Sequence, residues 1–332
     1  MVRKLIYQLT LIVINIHQII CVHMRRPIYN IGHMVNTIDQ VDSYIEKGAN
    51  AIEVDVQFVA DGTPVHMFHG IPCDCLRDCS KWSPFEQYIQ HIRDISTPDH
   101  IKYKERFVLL ILDLKTENMP PIIKSMAGEK LFNSLLEHLF NHGYVLTRVN
   151  ILLTIQRVTD EPLMDGFIHA MDSLGLSHLN KHIGWDVSAN EALDVISTMY
   201  HRRLPRTANV WQSDGITNCV SFIYPTDRLR AAIQLRDQFR RPYMTKVYRW
   251  TIDMPFVARD TFRLGVDGIL TNYPDRIATI LNEDEFYNDL RLANHTDDPW
   301  ARYDGPHRLS PPTNHLQRLH NLYSIIISLG RN

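Results

Sequence analysis

Eight short apolar runs recur along this chain, and most are separated by segments whose apolar residues repeat at helical spacing. That alternation restricts the fold more than any other feature. The runs cover residues 27–33, 51–58, 107–114, 150–156, 182–187, 208–213, 246–252 and 267–271. Intervening stretches such as TIDQVDSYIEKG, LFNSLLEHLFNHG and TDRLRAAIQLRDQF have amphipathic helical patterns, two of them with Gly near the end, where a left-handed residue commonly closes a helix. Strands alternating with helices point to a parallel sheet, and eight such units predict a single (β/α)8 TIM barrel. A doubly wound open sheet is the competing architecture. The chain has neither G-x-G-x-x-G nor G-x-x-x-x-G-K-[ST] to support nucleotide binding on such a sheet. At 332 residues and 45% hydrophobic content, one barrel can bury a full core.

His33, Glu53, Asp55, His69, Asp113 and Lys115 fall at or just past the ends of apolar runs. Parallel barrels carry their chemistry at the C-terminal ends of the strands. In ANAIEVDVQF, Glu53 and Asp55 are two positions apart and share a strand face. Two adjacent carboxylates repel unless a cation lies between them. FVLLILDLK is apolar on both faces until Asp113, which shares a face with Lys115. Three carboxylates without a thiolate or paired imidazole favour a hard, oxygen-seeking ion, magnesium before zinc, with calcium or manganese as substitutes. A single acid at a strand end is as well explained by helix capping or an ion pair, so the argument rests on all three together. Of 17 histidines, His33 and His69 stand out because each ends an apolar stretch beside Gly. Two imidazoles, three carboxylates and an ammonium suit metal-dependent phosphodiester chemistry.

Charge and cysteine content set the compartment and the partners. Lys+Arg of 35 against Asp+Glu of 37 leaves no basic stripe, which argues against nucleic acid as a partner. Residues 1–23 read as a secretory signal, with Arg3 and Lys4 ahead of an apolar stretch that Asn15, His17 and Gln18 dilute; an uncleaved anchor is the alternative. With Cys21 in that leader, Cys73, Cys75, Cys79 and Cys219 remain, an even number that fits two disulfides in an oxidising space. Bridging Cys73 to Cys75 would need an unusually tight ring, which leaves one short loop and one long-range tie. C-x-C-x3-C also lacks the paired C-x2-C knuckle of a zinc site. The expected organisation is a signal over residues 1–23, a catalytic barrel over 24–300 and an extension over 301–332. The extension begins Pro-rich, and its apolar end is too short to span a bilayer. Asn294-His295-Thr296 is a glycosylation sequon.

In KVYRWTID, Tyr248 and Trp250 share a strand face and offer rings to a quaternary ammonium such as choline, about 0.5 to 2 kcal/mol per ring when desolvated. Filling the barrel core is the plainer use of the same rings. Asp214 and Asn272 lie near strand ends as pocket hydrogen-bonders or turn formers.

Taken in order, RRPIYNIGHMVNTIDQVDSYIEKGANAIEVDVQF, HGIPCDCLRDC, LDLKT, WQSDGITNC, KVYRWTID, GVDGILTNYPD and TDDPW resemble the sphingomyelinase D family, the phospholipase D toxins of sicariid spiders and their arachnid relatives. The resemblance runs from about Arg25 to Trp300. It implies a TIM-barrel enzyme related to glycerophosphodiester phosphodiesterases, with one magnesium ion, acting on choline phospholipids at membrane surfaces; the leader and cysteines make secretion the expectation, and because a barrel needs no partner a monomer is expected. His33 then corresponds to the nucleophilic histidine and His69 to the general acid/base, while Glu53, Asp55 and Asp113 correspond to the magnesium ligands. Lys115 takes the place near the phosphate, and Tyr248, Trp250 and Asn272 the substrate pocket. The implied disulfides are Cys73 with Cys79 and Cys75 with Cys219. The implied reaction is attack by the lipid's own hydroxyl, releasing choline and a cyclic phosphate. One departure stands out: where spider enzymes often read G-H-D-F-S-G-N-D, this chain has Trp185 in place of a pocket-rim His. The other readings are a phosphodiesterase of small soluble diesters and a non-catalytic lipid-binding protein.

Overall fold

The computed structural model describes residues 25–238 and 243–304. Its strands are β1 (Arg26–Gly32), β2 (Ala51–Phe58), β3 (Pro64–Met67), β4 (Ser83–Pro84), β5 (Leu109–Lys115), β6 (Asn150–Ile155), β7 (Ile183–Val187), β8 (Asn209–Gly215), β9 (Lys246–Trp250), β10 (Gly268–Thr271) and β11 (Leu290–Leu292). Eight of them pair in parallel in the order β1-β2-β5-β6-β7-β8-β9-β10, and β10 returns to β1, closing the barrel. These are the eight runs expected from the sequence, shifted by a residue or two at their ends. The other three strands were not anticipated. β3 and β4 extend the upper half of β2 as an antiparallel hairpin, and β11 lies against the start of β1 with Arg26 opposite Leu290.

The helices surround this barrel. In α1 (Ile38–Glu46), Thr37 and Gln40 form a reciprocal capping box, each side chain accepting from the other's backbone N–H. The remaining helices are α2 (Phe85–Ser96), α3 (Pro121–His138), α4 (Glu161–Ser173), α5 (Leu193–Arg203), α6 (Asp227–Gln238), α7 (Pro255–Leu264), α8 (Pro274–Leu281) and α9 (Asp284–Tyr287). Proline opens α3, α7 and α8, where the missing N–H costs nothing. Of the amphipathic stretch at residues 131–143, residues 131–138 are the end of α3, which starts ten residues earlier at Pro121, and Asn141–Gly143 form a separate 3-10 turn. α3 and α4 approach so closely that a Cβ on Gly128 would lie 1.9 Å from the Leu163 carbonyl oxygen, and one on Gly166 would lie 1.9 Å from that of Ser125. Among the described residues no helix is long and apolar enough to cross a membrane.

Alternation along the strands divides the core in two. Outward residues such as Val54, Leu112 and Leu153 pack with Phe132 and Phe167 beneath the helices. Inward residues, including Tyr29, Ile31, Ile111, Leu152, Trp211 and Tyr248, fill the barrel. Trp185 belongs to the outer layer, its ring edge-on to Phe167 at 5.6 Å. It therefore faces away from the cavity, which corrects the expectation that it replaces a rim histidine. The neighbouring Asp186 points inward instead and accepts the Tyr248 hydroxyl at 2.8 Å.

Trp300 closes the floor, at the N-terminal ends of the strands. Its indole N–H donates to the Lys181 carbonyl at 2.8 Å, while Trp211 donates to Pro299 at 2.9 Å. Its ring covers β7 where Gly184 leaves room, since a Cβ there would lie 2.3 Å from it. The leader expected over residues 1–23 lies outside the described residues, as does the extension beyond residue 304.

Candidate active site

Barrel stagger, rather than strand termini alone, brings the polar residues together. Glu53 and Asp55 are the third and fifth residues of β2, inside the strand and not at its end, because the hairpin with β3 prolongs β2 to Phe58. Gly32 at the top of β1 is level with Ile52, which places His33 beside Glu53, and Asp55 is level with Asp113 on β5. His69 follows β3, on the long loop that leads to β4. His33, Glu53, Asp55, His69, Asp113, Lys115, Tyr248 and Trp250 all line one cavity of about 450 Å³ at the C-terminal mouth of the barrel. Asn272 supports that cavity from behind His33.

The three carboxylates each offer an oxygen, and these lie within 4.8 Å of one another. Lys115 Nζ sits among them, 2.9 Å from Asp55 Oδ1 and 2.6 Å from Asp113 Oδ2. Glu53 Oε2 accepts from the Met34 N–H at 2.8 Å, and Asp55 Oδ2 accepts from Asn36 at 2.8 Å. Asp113 Oδ1 is buried with no hydrogen-bond partner among the described residues. Burial and the neighbouring Asp55 charge push the Glu53 carboxyl up to about 8, against the opposing pull of His33. Burial would raise Asp55 as well, but the Lys115 and His69 charges and the Asn36 hydrogen bond bring it below its ordinary value. One carboxylate is thus unable to ionise freely, and a second has an unsatisfied oxygen. Both defects are removed by a divalent cation bound to oxygen, so the donor set fits one.

His33 is held from one side. Its Nδ1 lies 3.1 Å from Asp74 Oδ2 and 3.1 Å from Asn272 Oδ1, while Nε2 lies 4.0 Å from Glu53 Oε2. Two acceptors at Nδ1 assign the neutral ring's proton there and leave the Nε2 lone pair on the side of Glu53 and the cavity. Burial would lower the basicity of this imidazole, but the Asp74 hydrogen bond and the Glu53, Asp74 and Asp55 charges outweigh it and raise it to about 9. Asn272 is oriented in turn, donating to Asp253 Oδ2 at 2.8 Å through Nδ2. Asp74 also accepts from the Thr217 hydroxyl at 2.6 Å.

Asp74 and Asp253 were missed by the sequence reading. The available signal was a carboxylate enclosed between two half-cystines in C-D-C. Disulfides Cys73–Cys79 and Cys75–Cys219 flank it, the second spanning 144 residues. The first closes a short ring within the loop carrying His69 and Asp74, and the second ties that loop to the loop after β8, where Asn218 bonds to both backbone groups of Cys75. Asp214, a second candidate pocket residue, points away from the cavity and pairs with Arg228 at 2.9 Å.

The sequence pattern of the dermonecrotic toxin SPH family matches residues 23–300. The chain belongs to the dermonecrotic toxin family. Among similar relatives, dermonecrotic toxin LarSicTox-alphaIB2bi of Loxosceles arizonica is 41% identical over 280 residues, 84% of this chain and 90% of the relative. Dermonecrotic toxin SPH of Ixodes scapularis is 42% identical over 284 residues, 85% of this chain and 78% of the relative. In structure the chain is similar to a protein described as a glycerophosphoryl diester phosphodiesterase from Silicibacter pomeroyi, with a TM-score of 0.51 at 14% identity, covering 81% of this chain and 96% of that one. At that identity the likeness concerns the barrel fold. Family membership carries the enzyme class that the resemblance implied, a phospholipase D of the sphingomyelinase D type.

Proposed function

We propose that this family member cleaves choline phospholipids, sphingomyelin and lysophosphatidylcholine, by intramolecular transphosphatidylation. Choline is released and the lipid retains a cyclic phosphate. The observation that carries the reading is the convergence of His33, His69, Lys115 and the three carboxylates on one cavity whose wall includes Tyr248 and Trp250. Glu53, Asp55 and Asp113 would hold one magnesium ion, which supplies positive charge to polarise the phosphate oxygens. Lys115 adds a second positive charge for the negative charge that develops at phosphorus. His33, with Nδ1 engaged by Asp74 and Asn272, is the base for the lipid hydroxyl once Nε2 has given up its proton, which a cation held by Glu53 and Asp55 would favour by neutralising charges that raise the imidazole; the family resemblance casts the same nitrogen as the nucleophile. As that hydroxyl oxygen bonds to phosphorus, the bond to the choline oxygen breaks and His69 protonates the departing choline. The Trp250 indole, whose N–H has no partner among the described residues, offers its ring to the quaternary ammonium. Tyr248 contributes its ring to the same wall while its hydroxyl stays on Asp186.

Two further features support action on a lipid surface outside the cell. Ile71 and Leu76, 97% and 99% exposed, lie on the loop of His69 beside the mouth. The two disulfides suit an oxidising space. The reading takes the mature chain as a secreted monomer with lipid as its partner and no nucleic acid. The test is incubation with sphingomyelin or lysophosphatidylcholine, with magnesium or with chelator, following choline release and the phosphorus NMR signal of the lipid product. Magnesium-dependent choline release with a cyclic-phosphate signal, lost in His33→Ala, is the expected result. No release from either lipid, with cleavage of glycerophosphocholine instead, would transfer the activity to soluble diesters.

A further inference from the structure

We infer that Asn294 carries an N-linked glycan on the floor of the barrel, the end opposite the site; the inference rests on the reading of the chain as secreted. Asn294-His295-Thr296 is the sole N-x-[ST] sequence with x other than Pro among all 332 residues. All three of its residues are exposed. The segment follows β11, whose pairing with Arg26–Ile28 anchors it at the start of β1, and the Ala293 N–H donates to the Ile28 carbonyl at 2.9 Å. His33 follows the other end of the same seven-residue strand, so the sequon and the mouth are separated by roughly 20 Å of barrel.

The local hydrogen bonds leave the reactive nitrogen free. Asn294 Oδ1 accepts from the Thr296 N–H at 2.8 Å and from the Thr296 hydroxyl at 2.7 Å. The Asn294 N–H donates to Asp297 Oδ2 at 2.9 Å, and Asp297 is clamped by Arg291 through two bonds of 2.6 Å. Among the described residues Nδ2 has no hydrogen-bond partner. Glycosylation joins Nδ2 to C1 of a lipid-linked oligosaccharide, with loss of one Nδ2 proton and departure of the lipid diphosphate. That exchange uses none of the bonds that shape the turn. A glycan here also leaves the mouth and its exposed Ile71 and Leu76 uncovered, so a modified molecule can still approach a lipid surface.

The experiment expresses the full chain in a eukaryotic secretory cell line, once with its own N-terminus and once behind an established secretion leader. Medium protein is measured by intact mass before and after peptide N-glycosidase F. Whether the first form reaches the medium tests the secretion reading. The second form decides the acceptor in either case. The expected result is the mass of one glycan, removed by the glycosidase with conversion of Asn294 to Asp, and absent in both Asn294→Gln and Thr296→Ala. Choline release is expected to be the same before and after deglycosylation. Leader-secreted protein at the unmodified mass would overturn the inference, as would a glycan that persists in both variants.

Discussion

Gly215 at the end of β8 faces the backbone of Trp250, and replacing it with Ala should damage the reaction more than the fold. A Cβ on Gly215 would lie 1.7 Å from the Trp250 carbonyl oxygen, 2.6 Å from its carbon and 2.9 Å from its nitrogen. Backbone atoms cannot rotate out of the way, so this part of β9 must retreat by about 1.5 Å to reach van der Waals separation. Overpacking of this kind costs about 1–3 kcal/mol. Misplacement by about 1 Å of a group that positions substrate costs about 100-fold in rate. Gly128→Ala is the control: its Cβ would lie 1.9 Å from a carbonyl oxygen in the seam between α3 and α4, on the outside of the barrel. Helix propensity returns roughly 0.5–1 kcal/mol there, leaving a net loss of up to about 2.5 kcal/mol. The assay pairs urea unfolding with kcat/KM for choline release from lysophosphatidylcholine. Gly215→Ala should lose about 100-fold in kcat/KM, whereas Gly128→Ala should keep its activity while losing a similar amount of stability. A folded Gly215→Ala protein with native kcat/KM would refute the argument that this glycine sets the position of the pocket tryptophan.

Other expectations follow from the same geometry. Asp74→Asn keeps the shape but removes the charge facing His33 Nδ1, so kcat should fall by about 10²–10⁴-fold with little change in KM. A merely structural role would move stability instead, and NMR titration of the His33 ring separates the two. Ile71→Asp with Leu76→Asp should weaken binding to phosphatidylcholine vesicles, measured by co-sedimentation, while turnover of monomeric lysophosphatidylcholine stays the same; equal losses on both substrates would speak against lipid contact. Asp186 is raised by burial to about 6 from 3.8, despite its bonds to Tyr248 and Ser213. Its native pKa lies above the unfolded one, so the native state favours the proton and the group destabilises the fold by up to about 3 kcal/mol above pH 6. That cost is relieved as pH falls through 6 toward 3.8. Urea midpoints of wild type relative to Asp186→Asn should therefore rise between about pH 7.5 and 4.5, and a constant gap would remove Asp186 from the account.

What the sequence revealed of this molecule depended on the range of the interaction. The barrel strands were legible because each is a run of apolar residues long enough to be buried on both faces. β4 and β11, two and three residues long, offer no such run. Their pairing is decided by the hairpin on β2 and by the start of β1. The carboxylates were legible because an acid within an apolar run is costly and needs a reason. Asp74 was not, since its role exists only when two disulfides and Thr217, 143 residues away, hold the loop against His33. Trp185 was misread because sequence position does not reveal which way a strand residue faces until the strand's register is known. The neighbouring Asp186, inward and buried, fixes that register.

The Trp300 plug has a practical consequence for handling the protein. Ala301 receives the Lys246 ammonium at 2.5 Å and Arg302 reaches the Arg236 carbonyl at 3.1 Å, so the backbone is fastened to the barrel floor up to its last described residues. A tether attached at residue 304 therefore pulls on the face remote from the mouth. Molecules immobilised that way on a sensor chip would share one orientation, with catalytic openings turned toward the flowing solution, where liposomes can reach them.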